Sequence, residues 1–231
     1  MNKPIMVLTT VCTFFLFTFA FANNLEHKKE NLTAVSKHVI NNQLPEKNLK
    51  SPVGYWMTVN SHGQAQGIVH IFSELKDPSI LNGDLLIPLF KLDNDKKQPP
   101  NTLCNRCTGD LKNKALTGLQ LVNKAKKTGP SEGSDGEKYT DGTIMDPSNG
   151  KLYKLKMWTE ENGKKLKVRG YIWLFYKTQT WYRISKDQAE NYQRKCGINV
   201  NTGVYAYLDK SNNIINKKLW QYCSDASLPK T

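Results

Sequence analysis

Residues 151–176 read KLYKLKMWTEENGKKLKVRGYIWLFY, and their pattern decides the fold class. Tyr153, Leu155 and Met157 fall on one face of an extended chain while Lys154 and Lys156 take the other, because successive side chains of a strand point to opposite sides. Beyond the turn, Leu166 and Val168 alternate with Lys165, Lys167 and Arg169. Glu161-Asn162-Gly163-Lys164 joins the two runs, and Asn-Gly supplies the positive φ angles of a tight hairpin. The stretch is therefore an antiparallel β-hairpin with one apolar face.

The same character extends in both directions. Val53–Asn60, Gly67–Leu75, Ile80–Leu92, Leu116–Val122, Thr140–Met145, Lys151–Thr159, Lys165–Tyr176 and Thr180–Ile184 are rich in β-branched and aromatic residues and bounded by turn formers. About eight short antiparallel strands with no helix between them leave a sandwich or a closed barrel, and closure removes exposed edges. The expectation is an all-β, up-and-down, lipocalin-like barrel over residues 51–184. Gly170 predicts a bend or bulge in its strand, and Pro88 an edge or bulge position. Asp93–Asn101 and Lys126–Lys138 read as loops. After Ile184, Ser185 and Gln188 form a capping box for a short helix through Lys195, with Gly197 beyond its end. Val204–Leu208 and Ile214–Tyr222 then read as a β-hairpin about Asp209–Asn213, so residues 185–231 form an appendage.

At the other end, Lys3, the apolar run Ile5–Phe19 and Ala20-Phe21-Ala22 have the order of a cleavable secretory signal, with cleavage after Ala22. The run is about 15 residues, short of the ~20 that a spanning helix needs, and Val11 before Cys12 argues against a lipoprotein. The expected product is periplasmic or secreted and not an integral membrane protein. Residues 23–50 hold an amphipathic lead-in helix, with Leu25, Leu32, Val35 and Val39 on one stripe and Leu44-Pro45 ending it.

The chain carries a net charge of +13, and removal of Lys3 with the signal makes it +12. Such a balance attracts anionic surfaces, although no compact run of basic residues occurs and nucleic acid is a poor partner in that compartment. Four cysteines remain after the signal: Cys104, Cys107, Cys196 and Cys223. An even number in an oxidising compartment suggests two disulfides, most simply Cys104–Cys107 and Cys196–Cys223.

Few residues are arranged for catalysis. Cys104-Asn105-Arg106-Cys107 is a structural loop disulfide, a redox pair or half of a metal site. Pro99-Pro100-Asn101 before it and the missing strand-helix-strand setting weaken the redox reading, and no second C-x-x-C or spaced histidine pair completes a zinc site. His27 and His38 lie in the lead-in, His62 in a turn and His70 mid-strand. Ser73 and Glu74 near His70 lack a nucleophile elbow. Asp84, Asp110 and Asp146 are isolated and suit turns or caps. No cofactor motif is present, and the reading leans away from an enzyme. Arg169, Tyr171 and Trp173 share one strand phase, and Arg183 is in phase with Trp181. An inward Arg beside a Tyr can hold a carboxylate while aromatic walls take the tail. Arg169 also shares its face with Lys165 and Lys167, which turns it to water unless Gly170 re-aims the strand.

Gly54-Tyr55-Trp56 is similar to the G-x-W that opens lipocalin barrels. That likeness implies that Trp56 closes one barrel end beneath a basic side chain of the last strand, here Arg183. A broader match joins Pro52–Trp56, Cys104–Lys112, Asp146–Tyr153, Leu166–Tyr171 and Thr178–Trp181, which together resemble the exported bacterial proteins grouped as domain of unknown function 2147. The resemblance implies a lipocalin-like or fatty-acid-binding-protein-like barrel, with hydrophobic-ligand binding proposed and no agreed activity. Lys177 stands where that family leads one to expect Arg, replacing a planar guanidinium by a point charge.

The leading functional expectation is a carrier or sensor of a small amphipathic ligand, fatty acid by default, with Trp56, Arg169, Tyr171, Trp173, Trp181 and Arg183 as its contacts. Two others stay open. One is a non-enzymatic envelope protein that docks by its basic surface on anionic polymers or lipids, and the other is a thiol-disulfide oxidoreductase using Cys104 and Cys107.

Overall fold

The structure is a computed structural model that describes residues 49–130 and 136–229. The expected signal, the lead-in helix, His27 and His38 lie outside the described residues. Ten strands form, namely β1 (Gly54–Val59), β2 (Ala65–Ser73), β3 (Ile80–Pro88), β4 (Lys91–Asp93), β5 (Lys96–Gln98), β6 (Leu119–Pro130), β7 (Glu137–Asp146), β8 (Lys151–Glu160), β9 (Lys165–Ile172) and β10 (Phe175–Ile184). Eight of them close into an antiparallel barrel in the order β1-β10-β9-β8-β7-β6-β3-β2, and β4 with β5 makes a separate small hairpin. Apart from the closing pair β1–β10, every barrel neighbour is also a sequence neighbour once that hairpin and the loop after it are set aside. This is the expected up-and-down architecture.

Register explains which side chains enter the barrel. Trp181 lies opposite Leu166, Gln179 opposite Val168, Lys177 opposite Gly170 and Phe175 opposite Ile172, so these rows climb one inner wall in steps of two residues. Trp56, Val69, Ile71, Leu81, Leu155, Met157 and Leu166 fill the lower half and are fully buried. The β8–β9 turn places Glu161, Asn162 and Gly163 at positive φ, as the Asn-Gly signal requires.

Several expectations are corrected. Lys165–Tyr176 is not one strand: β9 ends at Ile172, and Trp173-Leu174 is a two-residue turn into β10. Gly170 marks no bulge, because β9 pairs with β8 and β10 without a register shift there. The loop expected over Asp93–Asn101 contains the turn and second strand of the β4–β5 hairpin, turned by Asn94 and Asp95 at positive φ. The loop expected over Lys126–Lys138 is shorter, since β6 runs on to Pro130 and β7 begins at Glu137.

The appendage begins as expected. Helix α1 (Lys186–Cys196) carries the reciprocal Ser185–Gln188 capping box. Its expected β-hairpin does not form. Val204–Leu208 contributes only isolated bridges, and Lys217–Ser224 is a second helix, α2, capped by Asn216. Here a side-chain cap and helical packing outweigh a short apolar run that periodicity alone cannot assign. A disulfide joins Cys196 to Cys223, and α1, α2 and the buried Tyr205 and Tyr207 cluster with Met57, Ile68 and Ile87 on the outer face of β1–β3. Burial of that outer face is why these strands are apolar on both sides.

Candidate functional site

The two barrel ends differ. At the lower end Trp56 is 0% exposed and donates its indole N–H to Pro52 O at 2.7 Å. Arg183 lies 4.2 Å over its ring. The guanidinium donates to Gly163 O (2.5 Å), Val53 O (2.8 Å), Ser51 O (2.7 Å) and Leu49 O (3.2 Å). Burial pushes Arg183 down to about 10, still well above neutral pH, so it stays charged. All its directed donors go to main-chain carbonyls, which makes it a clamp across the floor of the barrel rather than a ligand contact.

The upper end is open. A cavity of about 810 Å³ runs from the mouth to mid-barrel, walled by Leu85, Leu121, Val168, Trp181, Leu116 and Phe90. Its size falls in the range of small-molecule sites, as does its mixture of an apolar wall with a few polar groups. Gly170 contributes by having no side chain, since a Cβ there would lie 3.3 Å from Tyr153 Cβ and 3.4 Å from Ile144 Cγ2. Opposite Gly170, Lys177 lines the cavity near its mouth, and among the described residues its ammonium has no ion-pair or hydrogen-bond partner. Below it Gln179 accepts from the Trp181 indole N–H at 3.1 Å, which orients the amide within the wall. Lys91 also borders the mouth and is held by Asn101 Oδ1 at 2.8 Å. The one cavity-lining carboxylate, Asp146, is satisfied within its own turn by Ser148 N and Asn149 Nδ2. The polar rim is thus net cationic.

Of the six residues expected to contact a ligand, only Trp181 lines this cavity. Trp56 and Arg183 form the floor. Arg169 faces outward, stacked on Tyr176 at 4.4 Å and Trp158 at 5.3 Å, with its Nε donating to Thr178 Oγ1. Tyr171 shares that outer phase, and Trp173 stands in solvent at the β9–β10 turn. The unbroken register through Gly170 is what keeps Arg169 outside. Lys177 and Gln179 were readable from the sequence by stepping back in twos from Trp181. Tyr153 likewise continues the inward phase of Leu155 and Met157.

Cys104 and Cys107 are joined in a disulfide, 1% and 3% exposed, and pack against Pro147 O and Met145 Sδ. Their loop is tied to the β7–β8 turn by Arg106 donating to Ser148 O at 3.2 Å, so it shapes the mouth. With both sulfurs buried, attack by an external thiolate is obstructed. His70 is on the outer face, stacked on Tyr55 at 4.4 Å, and burial pulls it below its ordinary value.

A family profile described as an uncharacterized protein conserved in bacteria, DUF2147, matches residues 54–183, which is the whole barrel from the first residue of β1 almost to the last of β10. The chain belongs to the DUF2147 family. The DUF2147 segment includes Trp56 and Arg183, the Cys104–Cys107 loop and the cavity, and it stops before α1. No curated protein matches the chain. Among solved structures, it is similar to a protein of Helicobacter pylori described as "Protein HP1028 from the human pathogen Helicobacter pylori belongs to the lipocalin family", at 17% identity and a TM-score of 0.47, over 61% of this chain and 88% of that one.

Proposed function

We propose that this DUF2147 protein is an exported binding protein for a small amphipathic ligand, with the apolar tail in the upper half of the barrel and an anionic headgroup at Lys177. The observation that supports this most is the pairing of an apolar-walled cavity of about 810 Å³ with an ammonium near its mouth that has no partner among the described residues. A headgroup there meets a point charge that can rotate its three donors, while the tail lies against Trp181, Val168 and Leu121. A monocarboxylate such as a fatty acid is the default. The leader-like residues 1–22 and the two disulfides favour the periplasm or the exterior as its place of work.

The test is to purify the protein without delipidation and identify by mass spectrometry what is released on denaturation, then to titrate a fatty acid and its methyl ester into emptied protein. The acid is expected to bind wild type more tightly than the ester. Lys177→Gln should weaken the acid about fivefold and leave the ester unchanged. A variant that binds both acid and ester as tightly as wild type does removes Lys177 from the site. Failure of either compound to enter rejects the carrier reading.

A further inference from the structure

The β9–β10 turn has no packing role in the barrel, and its chemistry is unusual for a turn. Trp173, Leu174 and Phe175 are 92%, 87% and 81% exposed, and Ile172 and Tyr176 beside them are also exposed. Trp173 holds φ +56°, a conformation that glycine or asparagine adopts far more readily. A hairpin turn of two residues built from Trp and Leu gains little in the isolated fold, because its side chains bury almost no area and Trp173 holds a positive φ.

The rows below the tip are ordered by polarity. Lys154, Tyr171 and Tyr176 form one row across the outer face of β8, β9 and β10, and Lys156, Arg169 and Thr178 form the next. Lys151 and Lys177, on the opposite phase at the same end of β8 and β10, add two further cations at the rim. On these three strands the only acid is Glu160, at the opposite end of the barrel. An apolar tip, then two tyrosines beside Lys154, then Lys156 and Arg169 is the order that suits a passage from lipid tails through the interface to anionic headgroups. A second copy of the chain would bring two such sets of cations together, which like-charge repulsion opposes.

We infer that the β9–β10 hairpin docks the protein on an anionic lipid membrane, with Trp173, Leu174 and Phe175 entering the headgroup and acyl boundary and Lys154, Lys156 and Arg169 meeting lipid phosphates. The docked pose turns the cavity mouth, bordered by Ile172 and Phe175, toward the bilayer. Amphiphile then passes between bilayer and barrel without crossing bulk water. Docking itself does not require the cavity to be occupied, so the experiment below is independent of ligand binding.

The experiment is co-sedimentation of the processed protein with vesicles of phosphatidylcholine, with and without phosphatidylglycerol. Trp173→Gly and Leu174→Ser are suitable variants, because glycine suits the turn and neither side chain is packed. Unchanged thermal melting verifies the fold. Wild type is expected on both vesicle types, more on the anionic one, with each variant lowering the partition coefficient about tenfold and the double variant more. Part of the binding should survive high salt, since the apolar contribution is not screened. Three outcomes overturn the inference: wild type that sediments with neither vesicle, variants that bind as well as wild type, or binding that salt abolishes completely while the variants match wild type, which assigns it to scattered lysines. A wild-type dimer that Trp173→Gly dissociates, without vesicle binding, reassigns the surface to self-association.

Discussion

Arg183 shows how much one side chain can do by sitting in phase with a buried tryptophan. It bonds to carbonyls from Leu49 to Val53 and to Gly163, and it covers Trp56. Loss of charge-assisted bonds and of a desolvated cation–π contact puts the cost of Arg183→Ala at about 3 to 5 kcal/mol, read from urea unfolding. Arg183→Lys should recover only part, since an ammonium lacks the planar fork. Ligand affinity of the folded variant should be unchanged, which separates a clamp from a ligand contact. His70 carries a pH dependence. Burial holds it below its ordinary 6.5, opposed by Asp84 and assisted by Lys186, so the unfolded chain binds the proton more readily than the folded one. Stability is therefore full above about pH 6.5 and falls as pH drops through the folded value. Asp84 acts with the opposite sign, because burial raises its carboxyl. Melting temperature should decline from about pH 7 to about pH 5, and His70→Phe, which retains a ring against Tyr55, should show a smaller decline. The phase of Trp181, Gln179 and Lys177 was legible from strand alternation. The outward aim of Arg169 was legible too, but the inference made from Gly170 obscured it: the glycine leaves room inside the barrel and bends nothing.

Among the elements, the barrel strands were readable wherever turn chemistry punctuated them. Asn162-Gly163 announced its hairpin, whereas Trp173-Leu174 hid one, because the residues that identify a turn are those that relieve positive φ and these do not. The end of β6 was hidden for a related reason: Lys, Thr, Gly and Pro dominate Lys126–Pro130, and pairing with β7, joined at Lys126 by β3, holds them extended. Helix α2 was read as a strand because Ile214–Tyr222 is too short for periodicity to decide, and its start depends on Asn216 accepting from Leu219 N at 3.0 Å. The disulfide that links α1 to α2 spans 27 residues, which by chain-entropy arithmetic stabilises the fold by about 3 to 4 kcal/mol. Replacing Cys196 and Cys223 by serine should lower stability by that amount and free the appendage before the barrel unfolds. Limited proteolysis should then cut between α1 and α2 while the barrel strands stay protected.

At the scale of the whole molecule, the fold divides its apolar residues between two cores. One lies inside the barrel, and the other lies between the outer face of β1–β3 and the appendage. That division resolves an ambiguity in the sequence, where β2 and β3 are apolar on both phases and a one-sided barrel wall would not be. Whether the barrel interior is filled or hollow was beyond sequence reasoning, since it depends on which residues the closed register brings to the upper half, Gly67 and Gly170 among them, and not on any local pattern. The ends of the barrel strands also impose an order in time. Tyr55 pairs with Ile184, so the first and last strands are each other's neighbours. A nascent chain that has delivered β1 through β9 still has an open seam, with β1 presenting a bare edge and the interior wet. The seam shuts only when the final strand arrives, so the edge of β1 stays without its last neighbour until the chain has been delivered through Ile184.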